Sequence, residues 1–360
     1  MKLLRLVLNI SETSGAYYLF ALPMLNKVDQ TLVCYFKPNF SFNTKLRVIH
    51  GNNLMRSYLK IIFNKLIKGS YNIIHAHSPH VGILLLIVYL IIPKQKRIPK
   101  VFSVHYSFGH LSFRNKLLLI PIFILFDKII FCGRASLNSF PSVYKYLIKN
   151  KCEVIYNGVN TKGISINRNN TNVIKETFDI IVVSRLEKFK NVDKIIDAIT
   201  TINDKNITLR IAGDGSYRHC LETKIIESPF KSNIIILGEI ARHEVISNLV
   251  SSDLYISMSS SEGFPVSVLE SLVCECPVVL SNIEPHLDLA DGEDVINIVD
   301  IDNLDELIEI ILKFKNMDQT KLYQIRNKCN EFVKNKYSGS TMQKKYINIY
   351  KTFYNVGNTG

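Results

Sequence analysis

Two carboxylates raise the first chemical question of this chain. Glu262 and Glu270 flank seven residues in Ser261-Glu262-Gly263-Phe264-Pro265-Val266-Ser267-Val268-Leu269-Glu270. The apolar run Leu254-Tyr255-Ile256-Ser257-Met258 before them reads as a strand. After them, Val266, Leu269, Leu272 and Val273 recur at the 3.6-residue period and predict a helix with one apolar face. Strand, glycine-containing loop and helix N-terminus form a unit whose free backbone N–H groups suit phosphate. Glu262 falls in the loop, and Glu270 about two turns into the helix, able to point the same way. Amides for phosphate and carboxylates for hydroxyls fit a nucleotide-sugar ligand. Two glutamates at this spacing on a helix edge are commonly just solvated. What lifts this pair is Gly263-Phe264-Pro265 and the Pro277-Val278-Val279 strand downstream.

Cations stand at a second strand end. Phe178–Val183 runs into Ser184-Arg185-Leu186-Glu187-Lys188-Phe189-Lys190-Asn191. Arg185 and Lys190 at the opening of a helix can grip a diphosphate, the guanidinium bidentately and the ammonium as a point charge. The strand Leu209–Ala212 ends in Gly213-Asp214-Gly215, a tight turn that serves architecture or ligand. In the first half, Ile74-His75-Ala76-His77-Ser78 and Ser103-Val104-His105-Tyr106 both end short strands in histidine. At most one of His75 and His77 is expected at a site. The first strand is followed by Ser14-Gly15-Ala16, with one glycine and no G-x-G-x-x-G, which argues against a dinucleotide-dependent dehydrogenase.

Taken together, these segments resemble the family 4 glycosyltransferases of the GT-B fold, whose hallmark is two glutamates separated by seven residues in an E-G-F-P context. The Arg185–Lys190 stretch is similar to that family's G-R-L-x-x-x-K-G, with Ser184 and Asn191 in place of its glycines. The resemblance implies that Glu270 accepts hydrogen bonds from ribose hydroxyls and that Glu262 contacts the donor sugar near its reacting carbon. It implies that Gly263, Phe264, Pro265, Val266 and Ser267 bring backbone amides to the sugar and phosphates, and that Gly15 does the same from the first domain. Ile234–Ile240 resembles the segment that receives the nucleobase, which would lie near Gly238 and Glu239. His105 is implied beside the sugar or the leaving phosphate, with proton handling as a further role. Asn157-Gly158-Val159 matches the family's interdomain turn. Transfer with retention is also implied.

Apolar strands and helical segments alternate through both halves, the mark of parallel sheets with crossover helices. The fold expected is α/β: GT-B, two Rossmann-like domains with parallel sheets facing across a cleft. The domains expected are 1–153 on the acceptor side, 154–337 for the nucleotide sugar, and 338–360 as a helix crossing back to the first. Polar, Asn- and Lys-rich Thr161–Thr177 reads as the hinge. The 360 residues carry 44 Lys and Arg against 31 Asp and Glu, a net charge of +13. Such an excess suits nucleic acid, an anionic membrane surface or phosphorylated substrates. No nucleic-acid-binding module is recognisable, so nucleic acid is not an expected partner. Seven scattered cysteines offer neither a redox pair nor zinc spacing, which suits free thiols in a reducing cytoplasm.

The apolar runs Val81–Pro93 and Leu117–Phe126 are shorter than the ~20 residues of a membrane span. Lys94, Lys96, Arg97 and Lys100 follow the first, and Arg114 and Lys116 precede the second. They suggest peripheral contact with an anionic membrane, at the inner face of the plasma membrane. Asp300-Ile301-Asp302 matches a metal-binding string but lies far from the glutamates and reads as a surface loop. Arg185 and Lys190 supply charge for the leaving diphosphate, so no metal and no cofactor are expected. The expected enzyme moves a sugar from a nucleotide-diphosphate sugar, UDP-linked by default, to a glycan or polyprenyl-diphosphate-linked saccharide in surface polysaccharide synthesis. A sugar-nucleotide epimerase on the same fold and a non-catalytic binding scaffold are the rival readings.

Overall fold

The computed structural model describes residues 1–11, 15–161, 177–290, 292 and 295–356. The chain divides into two compact units, Met1–Gly158 with Gly339 onward, and Val159–Ser338. The first division thus falls a few residues beyond the expected 153/154 boundary. Ser14 and most of Thr161–Thr177 lie outside the described residues.

The first unit holds β1 (Lys2–Val7), β2 (Asp29–Cys34), β3 (Arg47–His50), β4 (Ile73–Ala76), β5 (Lys100–Val104), β6 (Lys128–Phe131) and β7 (Cys152–Val154). All pair in parallel in the order β3-β2-β1-β4-β5-β6-β7. Strand β3 was not expected: its four residues alternate too briefly to be told from loop by pattern alone. Two expected helices also differ. Tyr17–Leu25 is a π-helix, Ala16–Ala21, leading into a 3-10 turn with Pro23 at its start. Ser136–Tyr146 is two short helices, Arg134–Asn138 and Ser142–Ile148, divided at Pro141, which supplies no backbone N–H.

The second unit holds β8 (Phe178–Val183), β9 (Ile207–Ala212), β10 (Ile234–Gly238), β11 (Leu254–Ser257), β12 (Val278–Ser281) and β13 (Ile296–Val299). Its parallel order is β10-β9-β8-β11-β12-β13. In each unit the central strands, such as β4, β11 and β12, are buried on both faces, as a sheet covered by helices on both sides requires, while the edge strands β3, β7 and β10 are only partly buried. The order reverses between β1 and β4 in one sheet and between β8 and β11 in the other. Such a reversal opens a crevice at the carboxyl ends of the two strands, where open parallel sheets bind ligands.

Candidate active site

In the second unit the loops after β8 and β11 leave neighbouring strands at that reversal. The first carries Arg185 and Lys190, the second Glu262. Lys190 Nζ donates to Glu262 Oε1 at 2.5 Å, and Ser259 Oγ donates to the same oxygen at 2.8 Å. The two charged side chains are 11% and 17% exposed, so the pair is shielded without being sealed. Backbone contacts bind the loops together: Ser260 N donates to Phe189 O at 2.8 Å, and Asn191 Nδ2 to Met258 O at 2.8 Å. Asn191 stands where the family motif has glycine and adopts φ 49°, ψ 39°. Asparagine is among the few side chains that enter this left-handed region readily, so the replacement keeps the turn. Arg185 is exposed and makes no ion pair among the described residues.

The Gly213-Asp214-Gly215 turn supports this loop from beneath. A Cβ on Gly213 would lie 1.8 Å from Ser184 O, and one on Gly215 2.4 Å from Leu186 O. Leu186 N donates to Asp214 O at 2.9 Å and Tyr217 N to Leu186 O at 2.8 Å. Architecture therefore accounts for both glycines. Gly238 takes φ 72°, and its carbonyl accepts from Gly213 N at 2.8 Å, while Glu239 is exposed.

Glu270 lies in the second turn of the helix Val266–Val273. This helix is buried nearly all round, not on one face as the period suggested, since Val268, Ser271 and Glu270 itself are buried with the apolar set. Glu270 Oε1 accepts from Arg242 Nη2 at 2.7 Å. Burial raises the Glu270 carboxyl above its ordinary value, and the Arg242 charge works against that rise. Of the amides expected to face a ligand, that of Val266 donates instead to Phe264 O at 3.0 Å. Phe264 packs against Tyr337, Pro265 caps the helix, Gly263 is half-buried, and the Ser267 hydroxyl meets that of Tyr255 at 2.9 Å.

Two residues here escaped the sequence reading. Arg242 opens a helix just after the Gly238 loop, the same strand–loop–cation layout that singled out Arg185. His286 is fully buried, with Nδ1 donating to Ser281 O at 2.9 Å; Nε2 has no partner among the described residues. Burial holds its pKa down at about 4, against the upward pull of the Glu262 charge. Ser281 Oγ in turn donates to Ser259 O at 2.6 Å, bracing the loop that carries Glu262. Asp300 and Asp302 are engaged in their own turn: Asp302 N donates to Asp300 Oδ1, and Lys194 pairs with Asp302. No group of three or more His, Cys, Asp or Glu is placed to hold a metal among the described residues.

The first unit gathers histidines at its own reversal. Arg5 on β1 and His75 on β4 are partners in register, so both side chains leave the same face. His75 and His77 stand two apart, so strand alternation puts both on one face, and both join the cluster where at most one was expected. His77 N still donates to Leu6 O at 3.2 Å, carrying the pairing with β1 one residue past Ala76, and the two rings lie 4.0 Å apart. Arg5 Nη1 reaches His77 Nε2 at 2.6 Å and His75 Nδ1 at 3.4 Å, and His77 Nδ1 meets His105 Nε2 at 3.0 Å. His75 also bonds Tyr350 and Ser103, at 2.6 and 2.8 Å, and so ties the C-terminal helix Gly339–Val356 to the sheet. Burial, then the Arg5 charge, lowers the pKa of His105 to about 4. Gly15 has ordinary right-handed angles and room for a Cβ, so nothing in the backbone demands a glycine there.

Comparison with known proteins agrees with this architecture. Residues 31–162 match the model for Glycosyltransferase Family 4, and residues 164–338 that for Glycosyl transferases group 1. The chain belongs to the family 4 glycosyltransferases. Among relatives, it is 26% identical over 258 residues to the O-antigen biosynthesis glycosyltransferase WclY of Escherichia coli, spanning 70% of this chain and 69% of that one. It is 25% identical over 199 residues to the N-acetylgalactosamine-N,N'-diacetylbacillosaminyl-diphospho-undecaprenol 4-alpha-N-acetylgalactosaminyltransferase of Campylobacter jejuni, spanning 55% and 53%. The Anabaena protein HepE, solved in complex with UDP and glucose, superposes with a TM-score of 0.80 at 18% identity, over 98% of this chain and 100% of that one. The fold of this glycosyltransferase is GT-B, with two Rossmann-like domains.

Proposed function

We propose that this glycosyltransferase transfers a sugar from a UDP-sugar, with retention, to a glycan or polyprenyl-diphosphate-linked saccharide during synthesis of a bacterial surface polysaccharide. The observation that carries the reading is the Lys190–Glu262 pair at the strand reversal of the second unit, with Arg185 exposed on the same loop. A diphosphate arriving there draws on Lys190 and Arg185, and Glu262 is left to face sugar hydroxyls or the positive charge that develops at the reacting carbon. Glu270, oriented by Arg242, offers its second oxygen to ribose. Because two cations already serve the leaving group, the transfer runs without a metal. The UDP assignment leans on the family and on the nucleotide held by HepE. The acceptor assignment leans on the lipid-linked saccharide in the name of the Campylobacter relative.

A second feature supports work at the inner face of the plasma membrane. The helices Pro79–Ile91 and Phe113–Leu125 touch at Gly82, where a Cβ would meet Ile122 Cδ1 at 2.7 Å. Ile87, Leu90 and Ile91 form an exposed stripe on one, and Phe113, Leu117, Ile120 and Ile124 a matching stripe on the other, with Leu90 81% and Phe113 76% exposed. Lys94, Lys96, Arg114 and Lys116 border these stripes. Apolar side chains within a basic border suit the headgroup boundary of an anionic leaflet. No helix among the described residues is long and apolar enough to cross a membrane.

The test is an assay of the purified protein with UDP-, GDP- and ADP-sugars in EDTA, with and without a polyprenyl-diphosphate saccharide. Acceptor-dependent release of UDP with a new glycoside of the donor's anomeric configuration is the expected result. Rearranged sugar nucleotide without acceptor makes the protein an epimerase, and no turnover with any donor despite nucleotide binding makes it a scaffold. Flotation with vesicles containing phosphatidylglycerol should be lost in the double variant Leu90→Glu, Phe113→Glu. Full binding by that variant removes the docking face.

A further inference from the structure

Arg5 is fully buried, and no carboxylate pairs with it among the described residues. Its guanidinium spends its donors on Gln30 Oε1 at 3.4 Å, Met24 Sδ at 3.7 Å and the two histidines, and lies 5.7 Å from the centre of the Phe20 ring. Arginine stays charged when buried and has donors only, with nothing to accept. That one-way character sets the direction of every bond downstream. His77 Nε2, facing Arg5, must accept, so the proton of neutral His77 is on Nδ1 and is donated to His105 Nε2. His105 Nε2 is thereby an acceptor, and the proton of neutral His105 is on Nδ1. His105 itself is only partly buried, which leaves that nitrogen within reach of a ligand.

We propose that Arg5 is a positioning residue: acting through His77, it holds His105 as the neutral Nδ1–H tautomer, so that His105 offers a hydrogen-bond donor, and not a base, to an oxygen of a substrate bound at the strand reversal of the first unit. The assignment rests on the glycosyltransferase reading above and sharpens it, since proton abstraction by His105 is removed from the mechanism. The His75 branch runs the same way. Tyr350 and Arg5 both face its Nδ1, its Nε2–H goes to Ser103 Oγ, and Ser103 meets Tyr346 at 3.2 Å. The depressed pKa values of all three histidines fit rings kept neutral beside a buried cation.

The experiment is long-range proton–nitrogen correlation NMR on the full chain labelled with nitrogen-15 at histidine only, near pH 7. Resonances are assigned by comparison with His77→Asn and His105→Asn. Wild type is expected to show His77 and His105 as neutral Nδ1–H rings and His75 as Nε2–H. Arg5→Met should mix the tautomers of His77 and His105, and Arg5→Lys should restore them. Alongside, kcat for sugar transfer is expected to fall about tenfold to a hundredfold in Arg5→Met, the scale on which partners of a functional histidine act, with the lysine variant recovering most of it. An Nε2–H tautomer or an imidazolium at His105 in the wild type overturns the proposal, even if Arg5→Met does not fold. So does an Arg5→Met variant whose His105 tautomer is unchanged. The NMR measurement needs no substrate: if the tautomers are as stated and no donor is turned over, the proposed reaction fails and the relay stands.

Discussion

The two sheets place charge at equivalent points and treat it in opposite ways. At its strand reversal the second unit keeps its glutamates in ion pairs, Glu262 with Lys190 and Glu270 with Arg242. The first unit buries the cation Arg5 at its own reversal with histidines, an amide and a thioether in place of a counter-ion. Paired ions are exchangeable: a phosphate can compete for Lys190 and leave Glu262 to the sugar. An uncompensated cation in a low-dielectric interior is a fixed source of field, and it acts on groups that cannot leave. The second unit is therefore built to swap partners on binding, and the first to hold one arrangement.

The strongest break of that contrast is Glu262→Gln. It frees Lys190 while preserving shape, so kcat for transfer should fall by about a hundredfold to a thousandfold. UDP affinity, read by calorimetry, should hold or rise; a parallel loss of both would make Glu262 a structural strut. Next, Arg242→Ala leaves a buried carboxylate without its cation. Removing one partner of a buried pair costs about 3–5 kcal/mol, and Arg242 is a quarter exposed, so a loss of about 2–3 kcal/mol is expected in urea unfolding. Adding Glu270→Gln should return most of it, and failure to do so would show that Arg242 acts through packing alone.

Acid separates the units more gently. His75, His77 and His105 have folded pKa values below the ordinary 6.5, so on acidification the unfolded chain binds protons first. Their contribution is fully present above pH 6.5 and is lost as pH falls below it, for His105 toward about 4, at up to ~1.4 kcal/mol per pH unit for each ring. The second unit has His286 shifted the same way, offset by Glu270, whose raised pKa makes folding gain as pH falls toward 4.5. Hydrogen exchange followed in each unit between pH 7 and 5, corrected for intrinsic rates, should show the first unit weakening more. Equal responses would mean that Arg5 does not hold its histidines neutral. Smallest is Asn191→Ala, which puts a residue without a polar tip into left-handed backbone and should cost about 1 kcal/mol, with Asn191→Gly close to neutral. A larger alanine effect would assign the difference to the Nδ2 bond to Met258 O.

Much of this molecule is legible along the chain because its pieces are local. Phe178–Val183, apolar but for Asp179, and Ile207–Ala212, which alternates apolar and polar residues, are parallel strands legible from their local pattern. Lys190 and Glu262 announce themselves through neighbours a few positions away. Short β3 and the π-helical entry after Gly15 were hidden because each depends on how a few residues pack against others far off in sequence, whereas the split at Pro141 was a local signal that went unread.

Residue order by itself determined the alternation of strands and helices, the family motifs, and the chemistry of carboxylate beside cation read as a pattern. Tertiary structure alone decided which charges meet: Lys190 with a glutamate 72 positions on, Arg242 with one 28 positions on, and Arg5 with a histidine 72 positions away. The reason is physical. Helix and strand periods come from local sterics and from which face meets water, and these are written in neighbouring residues. The partner of a charge is set by strand order and register, as where Arg5 on β1 lies opposite His75 on β4, and those emerge only when the sheet closes around it.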